Sequence, residues 1–112
     1  AKKNAGEKSK DVRERVMRAR MIQTERFADI QGIHSNAQMT SKLIQKYCVL
    51  DEHCSQLLKN AMDRLNLSAR AYDRILKVSR TIADLAGSEE IKPEHLAEAI
   101  QYRSLDRENW RK

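Results

Sequence analysis

Glycine, proline and aromatic residues are scarce in this chain of 112 residues, which has three Gly, one Pro and an aromatic fraction of 4%. Strands are enriched in β-branched and aromatic residues, whereas the abundant Ala, Leu, Met, Lys, Arg and Glu favour helices. The length is sufficient for one domain and too short for two. The composition therefore predicts a single all-α domain.

Long apolar runs are also absent. No stretch approaches the roughly 20 apolar residues that a membrane-spanning helix requires, and the first residues lack the apolar core of a secretory signal. We therefore expect a cytoplasmic protein without a membrane partner.

Cysteine is limited to Cys48 and Cys54, which are too few for a disulfide scaffold in a chain without an export signal. His53, beside Cys54, is a potential metal ligand, but structural zinc sites have four ligands and a shorter Cys spacing. The other histidines, His34 and His95, do not supply that spacing. We expect two reduced, packed thiols and no metal site.

The net charge of +6 is unevenly distributed. Residues 1–20 hold eight Lys or Arg against three acidic residues, whereas residues 81–100 hold five acidic residues against Lys92 alone. This asymmetry is compatible with binding to a polyanion, with complementary contacts between subunits, or with a solvated surface. Composition does not choose among the three.

Apolar residues recur at three- and four-residue steps in five segments, which predicts a compact bundle of about five helices. The predicted helices run from a Ser9 cap to about Asp29, from Thr40 to about Tyr47, from an Asp51 cap to Asn66, from a Ser68 cap to Ala86, and from Pro93 to about Arg103. The predicted buried stripe of the first helix comprises Val12, Val16, Ala19, Gln23 and Phe27. Gly87 is placed to end the fourth helix in a left-handed conformation. We expect a flexible basic leader over residues 1–8, a folded domain over 9–105 and a polar tail over 106–112.

Motifs of phosphate-binding and hydrolytic enzymes are missing. The sequence contains no Gly-x-x-x-x-Gly-Lys-Ser/Thr, Gly-x-Gly-x-x-Gly, His-Glu-x-x-His or Gly-x-Ser-x-Gly. Its paired carboxylates, Asp51-Glu52 and Glu89-Glu90, are adjacent residues whose side chains point in different directions, which disfavours acid–base catalysis. We therefore expect this chain to be non-catalytic on its own and to hold no cofactor.

The fourth predicted helix carries a distinctive sequence, LSARAYDRILKVSRTIADL, from Leu67 to Leu85. It resembles the C-terminal domain of the magnesium-chelatase-like AAA+ ATPases, particularly the competence protein ComM group. The resemblance extends over about residues 9 to 107, with Ser79 where the family has Ala. Further matching segments are Arg15-Val16, Ala19-Arg20, Gln23-x-x-Arg26, Asn36-Ala37 and Glu98-Ala99-Ile100-Gln101-Tyr102-Arg103.

The resemblance implies an AAA+ helical lid that follows a nucleotide-binding core, with that core supplied upstream in the same polypeptide. The absence of a phosphate-binding loop and the start at Ala1 rather than Met both fit a piece of a longer protein. The implied parent is an ATPase that uses ATP and Mg²⁺, assembles with neighbouring subunits into a ring and moves along DNA. A motor subunit of a metal chelatase is the second possibility for the parent.

The resemblance also assigns a role to Arg70. Ser68-Ala69-Arg70 matches the sensor-2 pattern of the family, which implies that Arg70 contacts the γ-phosphate of ATP. A guanidinium suits this role because it stays charged and offers a planar fork of donors. Arg74 and Lys77 follow Arg70 by one and two turns on the same polar strip of this helix. They are candidate contacts to nucleotide or to a neighbouring subunit.

Two alternatives from other functional classes remain open. A stand-alone basic helical domain could bind nucleic acid with a steep salt dependence, or a protein-interaction module could use the opposite charges of the two ends. We have no role for Arg20 and Arg26 beyond packing against the nucleotide-binding core. We interpret Arg80 and Asp84 as a local ion pair that contributes little when exposed.

Overall fold

A computed structural model describes the backbone of residues 9–111 and the side chains of residues 9–102. The described helices are α1 (Ser9–Arg26), α2 (Ser41–Tyr47), α3 (Glu52–Leu65), α4 (Ala69–Leu85) and α5 (Pro93–Arg111), and a 3₁₀ turn, Asn36–Gln38, precedes α2. No strand occurs in this part of the chain. The predicted all-α fold with five helices is confirmed, whereas the predicted leader, residues 1–8, lies outside the described residues.

Side-chain caps begin three of the helices at the predicted residues. Thr40 Oγ1 accepts a hydrogen bond from the backbone N–H of Leu43 at 3.3 Å, and Asp51 Oδ1 accepts one from Cys54 at 2.8 Å. Ser68 Oγ does the same for Ala71 at 3.2 Å. Each bond satisfies a helix N–H that has no partner within the helix.

The end of α4 also follows the prediction. Gly87 has φ of +71°, a left-handed conformation that a residue without Cβ adopts without strain. The backbone N–H of Ser88 donates to Ala83 O at 2.8 Å, and that of Gly87 donates to Asp84 O at 3.0 Å. These two bonds form a Schellman motif, which satisfies the last carbonyls of the helix.

The bounds of the first and last helices differ from the prediction. α1 ends at Arg26 rather than near Asp29, because the following residues form turns that lead to Gly32, which has φ of +85°. α5 continues to Arg111 instead of ending near Arg103. Residues 104–111 contain no Gly or Pro to stop a helix, so the end of the apolar pattern was a poor guide to the end of the backbone helix. The division into a folded domain over 9–105 and a polar tail over 106–112 stays a prediction.

The helix α4 is the centre of the bundle. It packs against α1, α2, α5 and the 3₁₀ turn, while α3 packs against α5. The buried apolar cluster comprises Phe27, Met39, Ile44, Cys48, Cys54, Leu58, Ala61, Ile75, Leu76, Ala83, Ile91, Leu96, Ala99 and Ile100. Because four segments pack around it, α4 is held from several sides. Its exposed residues lie in the first two turns and are Ala69, Arg70, Tyr72 and Arg74.

The helix α1 departs from its predicted packing. Val12 and Val16 were expected in a buried stripe, but they are 39% and 40% exposed. Within Ser9–Arg26 only Ala19 and Gln23 are buried. The apolar spacing of α1 therefore extends further toward its N-terminus than the part of the helix that is buried against the bundle. None of the helices in the described part of the chain is long and apolar enough to span a bilayer.

Candidate functional site

The exposed strip of α4 begins with two arginines, Arg70 and Arg74, in its first two turns. Both side chains are exposed, and neither has a hydrogen bond or ion pair with any of the residues 9–102 whose side chains are described. Lys77, one turn further, is half-buried and donates from Nζ to the backbone carbonyl of Ala37 at 3.2 Å. The structure therefore places the three predicted residues on one strip but leaves only the two arginines without partners in this region.

Electrostatics at the start of α4 favour an anion. No acidic residue lies in the first turn of this helix, whose N-terminus carries a partial positive charge. Arg70 and Arg74 are four residues apart and therefore lie on the same helix face. Two guanidiniums without local carboxylate partners can donate to phosphate oxygens in a planar, two-bond geometry.

At the other end of α4 lies Asp84, a carboxylate residue with only 2% exposure. Arg26 of α1 donates to it from Nη1 to Oδ2 and from Nη2 to Oδ1, both at 2.9 Å. Arg80, one turn earlier on α4, donates from Nε to Oδ1 at 3.2 Å. Asp84 therefore holds two guanidiniums, one of them in the paired geometry that gives strong charge-assisted bonds.

Two amide side chains complete this cluster. Asn36 of the 3₁₀ turn donates from Nδ2 to Asp84 Oδ2 at 2.9 Å, and its Oδ1 accepts from Arg26 Nη1 at 2.9 Å. Gln23 of α1 donates from Nε2 to Asp84 Oδ2 at 3.2 Å, and its Oε1 accepts from the backbone N–H of Asn36 at 3.0 Å. We call Gln23, Arg26, Asn36, Arg80 and Asp84 the Asp84 network.

The same network reaches the connection between α4 and α5. Arg80 donates from Nη1 to the backbone carbonyl of Glu89 at 3.0 Å and from Nη2 to that of Ser88 at 2.8 Å. One guanidinium thus holds both the carboxylate on its own helix and the loop that follows it. The Asp84 network consequently ties together α1, the 3₁₀ turn, α4 and the loop before α5.

The charge state of Asp84 follows from these partners. Burial alone would raise the pKa of its carboxyl group. Hydrogen bonds from Arg26 and Asn36, and the positive charges of Arg26 and Arg80, outweigh burial and hold the pKa of Asp84 below its ordinary value. The carboxylate is therefore ionised at neutral pH, and its negative charge offsets part of the positive charge of the two arginines.

These contacts correct the interpretation of Arg80 and Asp84 as an exposed pair of little consequence. Both residues are buried, and Arg26, for which the sequence indicated no role, supplies the bidentate partner from another helix. In the sequence, the pairing of Arg80 with Asp84 is indicated by their spacing, four residues apart on a helix. Burial of that pair depends on α1 and the 3₁₀ turn, which local spacing does not reveal.

A separate groove lies between α3 and α5. Its volume is about 500 Å³, and both apolar and polar side chains line it. The lining residues include His53, Asn60 and Arg64 of α3 with Ile100 and Gln101 of α5. None of Arg70, Arg74 and Lys77 lines it, so this groove is distinct from the arginine strip of α4. Within the described residues, no three His, Cys, Asp or Glu side chains are grouped so that they could hold a metal ion.

Residues 6–103 match the family model for the C-terminal domain of magnesium chelatase subunit ChlI. The chain belongs to this family of C-terminal domains. It is 49% identical over 102 residues to competence protein ComM of Haemophilus influenzae. It is also 41% identical over 102 residues to the uncharacterised protein YifB of Escherichia coli, and 33% identical over 98 residues to an uncharacterised protein of Mycobacterium tuberculosis.

These alignments are nearly complete for this chain and partial for its relatives. They cover 91%, 91% and 88% of the chain, but 19% of each relative. The chain thus spans about a fifth of the length of these curated proteins. It corresponds to the C-terminal domain of ComM-like proteins.

Proposed function

We propose that this chain is the lid of a magnesium-chelatase-like AAA+ ATPase and that Arg70 senses the γ-phosphate of ATP. In this proposal the nucleotide-binding core lies upstream in the same polypeptide, as the length of the relatives supports. Binding and hydrolysis of ATP with Mg²⁺ move the lid relative to that core. The movement is transmitted to neighbouring subunits of a ring, and the parent acts as a motor on DNA.

The observation that carries the proposal is that the Arg70 side chain is exposed and unpaired within the described residues. Its guanidinium is exposed at the positive end of α4 and has no partner among the described residues. A structural role would require a contact within the domain, and Arg70 makes none there. An arginine that is free in the isolated lid is available to a phosphate supplied by another part of the protein.

The buried arginines serve as a comparison within the same fold. Arg26 and Arg80 each donate three hydrogen bonds to Asp84, Asn36 or loop carbonyls, so neither can turn to a nucleotide without breaking the network. Arg74 shares the exposure of Arg70 and could extend a nucleotide or subunit contact. Lys77 could do so only at the cost of its bond to Ala37.

The test uses the longer polypeptide that carries this chain, assembled with Mg²⁺ and ATP. Arg70→Ala removes a charged donor that acts on the phosphate during hydrolysis, and we expect turnover to fall about 100-fold or more. Affinity for ADP should be unchanged, because ADP lacks the γ-phosphate. Arg18→Ala, which removes an exposed arginine of α1, is the matched control and should leave turnover unchanged.

Folding is checked in the 112-residue chain, where Arg70→Ala should change the free energy of unfolding by no more than about 0.5 kcal/mol. Equal turnover in the Arg70→Ala and unmodified proteins would overturn the sensor role. A large loss of stability in the chain would instead assign Arg70 a structural role.

The motor role is tested by titration of labelled duplex and single-stranded DNA into the longer polypeptide, with and without ATP. Nucleotide-dependent DNA binding is the expected result. DNA binding that the 112-residue chain reproduces alone, and that weakens steeply with salt, would favour the nucleic-acid-binding alternative instead.

A further inference from the structure

The helix α1 is attached to the rest of the bundle with little apolar contact. No residue of Ser9–Arg26 belongs to the buried apolar cluster, which begins at Phe27. Met17 and Met21 are 61% and 64% exposed, and the helix buries only Ala19 and Gln23. Apolar burial, the usual source of tertiary stability for a helix, is therefore small here.

Polar contacts take the place of apolar packing. Arg26 donates two hydrogen bonds to Asp84 and one to Asn36, each at 2.9 Å. Gln23 exchanges hydrogen bonds with the same two residues at 3.0 and 3.2 Å. Arg15 is half-buried and makes a further interaction. The hydrogen bonds of Gln23 and Arg26 to the network thus lie in the last turn of α1.

Such contacts behave differently from apolar packing. Hydrophobic attraction is non-directional and tolerates sliding, whereas a paired guanidinium–carboxylate contact requires one alignment of both groups. A buried ion pair adds little net stability, yet loss of one partner is costly. We therefore expect α1 to be either aligned on α4 in this one geometry or detached from it, with few positions in between.

The chain immediately after α1 is anchored separately. Phe27 is buried in the apolar cluster, and its ring meets that of Tyr47 edge to face at a centroid distance of 5.7 Å. Arg26 and Phe27 are adjacent, so the polar attachment ends where the apolar anchor begins. If the polar contacts open, α1 can move while Phe27 stays in place.

We propose that Gln23, Arg26, Asn36 and Asp84 form a latch that fixes the register of α1 on α4, and that α1 can leave the α2–α5 bundle as a unit about a hinge at Phe27. This inference goes beyond the proposed function and does not depend on Arg70. The latch sets the position of α4, which carries Arg70 and Arg74, relative to α1.

The test is amide hydrogen exchange of the 112-residue chain, measured residue by residue. Arg26→Met removes the guanidinium link from α1 and leaves that helix only the weaker amide link of Gln23 to the network. Asp84 stays paired with Arg80, so the bundle should still fold. We expect amides in the second half of α1 to exchange at least about 10-fold faster, because charge-assisted bonds are lost there. Amides of α3, α4 and α5 should keep their protection.

Two controls make the comparison specific. Arg80→Met also removes a guanidinium from Asp84, but it should accelerate exchange at the loop before α5 rather than in α1. Arg18→Met alters an exposed arginine of α1 and should leave the exchange rates of α1 unchanged. Arg26→Lys keeps the charge without the paired geometry and serves as the test variant if Arg26→Met does not fold.

Selective acceleration in α1 supports the latch. Unchanged exchange in α1 overturns it, and so does an equal increase in every helix, which would mean that the network stabilises the whole bundle. Failure of both Arg26 variants to fold also overturns it. Each result is independent of ATP turnover, so the latch and the sensor role of Arg70 fail separately.

Discussion

Replacement of Asp84 by Asn is the most informative single change within the domain. The amide has nearly the shape of the carboxylate, so packing is preserved while the negative charge is lost. One of its two polar atoms becomes a donor that faces the donors of Arg26, Asn36 or Arg80. The two guanidiniums then remain buried without a balancing charge.

The expected cost follows from that loss. Removal of one partner from a buried ion pair costs about 3–5 kcal/mol, and Asp84 is buried together with Arg80 while Arg26 is nearly so. A small domain has a total stability of about 5–15 kcal/mol. Asp84→Asn should therefore remove a large share of the stability of this chain.

The measurement is the free energy of unfolding from urea denaturation followed by circular dichroism. Asp73→Asn, on the same helix but outside the Asp84 network, is the matched control and should cost no more than about 0.5 kcal/mol. A cost below about 1 kcal/mol for Asp84→Asn would refute the reasoning, since it would mean that the network contributes no more than a surface pair.

Two further predictions follow from pKa values. Because the pKa of Asp84 is lower in the folded than in the unfolded chain, its stabilisation is complete above about pH 4, the ordinary value, and is lost as the pH falls through the folded value. The difference in free energy of unfolding between the unmodified chain and Asp84→Asn should therefore be constant from neutral pH down to about pH 5 and shrink below pH 4. A constant difference at all pH values would contradict this. Burial raises the pKa of the Cys48 thiol, and likewise that of Cys54, to about 11, so both thiols should react with a thiol reagent at pH 7.5 only as fast as the chain unfolds. Rapid labelling of the folded chain would show that they are accessible.

Local features of the fold were predictable from sequence because they depend on neighbouring residues. The caps at Thr40, Asp51 and Ser68 need only a short polar side chain before a helical segment. Gly87 needs only to follow the last apolar residue of α4. The five helices follow from the same local periodicity.

Features that depend on how helices meet were not predictable in this way. Val12 and Val16 continue the apolar spacing of α1, but whether they are covered depends on the extent of the surface opposite. The bond from Arg26 to Asp84 joins residues 58 positions apart. Nothing in the sequence around either residue indicates this contact. Helical spacing predicted the strip of Arg70, Arg74 and Lys77, and the resemblance implied a role for Arg70. The bond from Lys77 to Ala37 became visible only once α4 was placed within the bundle.

The central claim, that Arg70 reads the γ-phosphate, is tested most directly by a structure of the longer polypeptide with Mg²⁺ and a non-hydrolysable ATP analogue. We expect the Arg70 guanidinium to donate to γ-phosphate oxygens at about 3 Å, with the Asp84 network intact. It would be contradicted if Arg70 points into solvent while another arginine contacts the γ-phosphate.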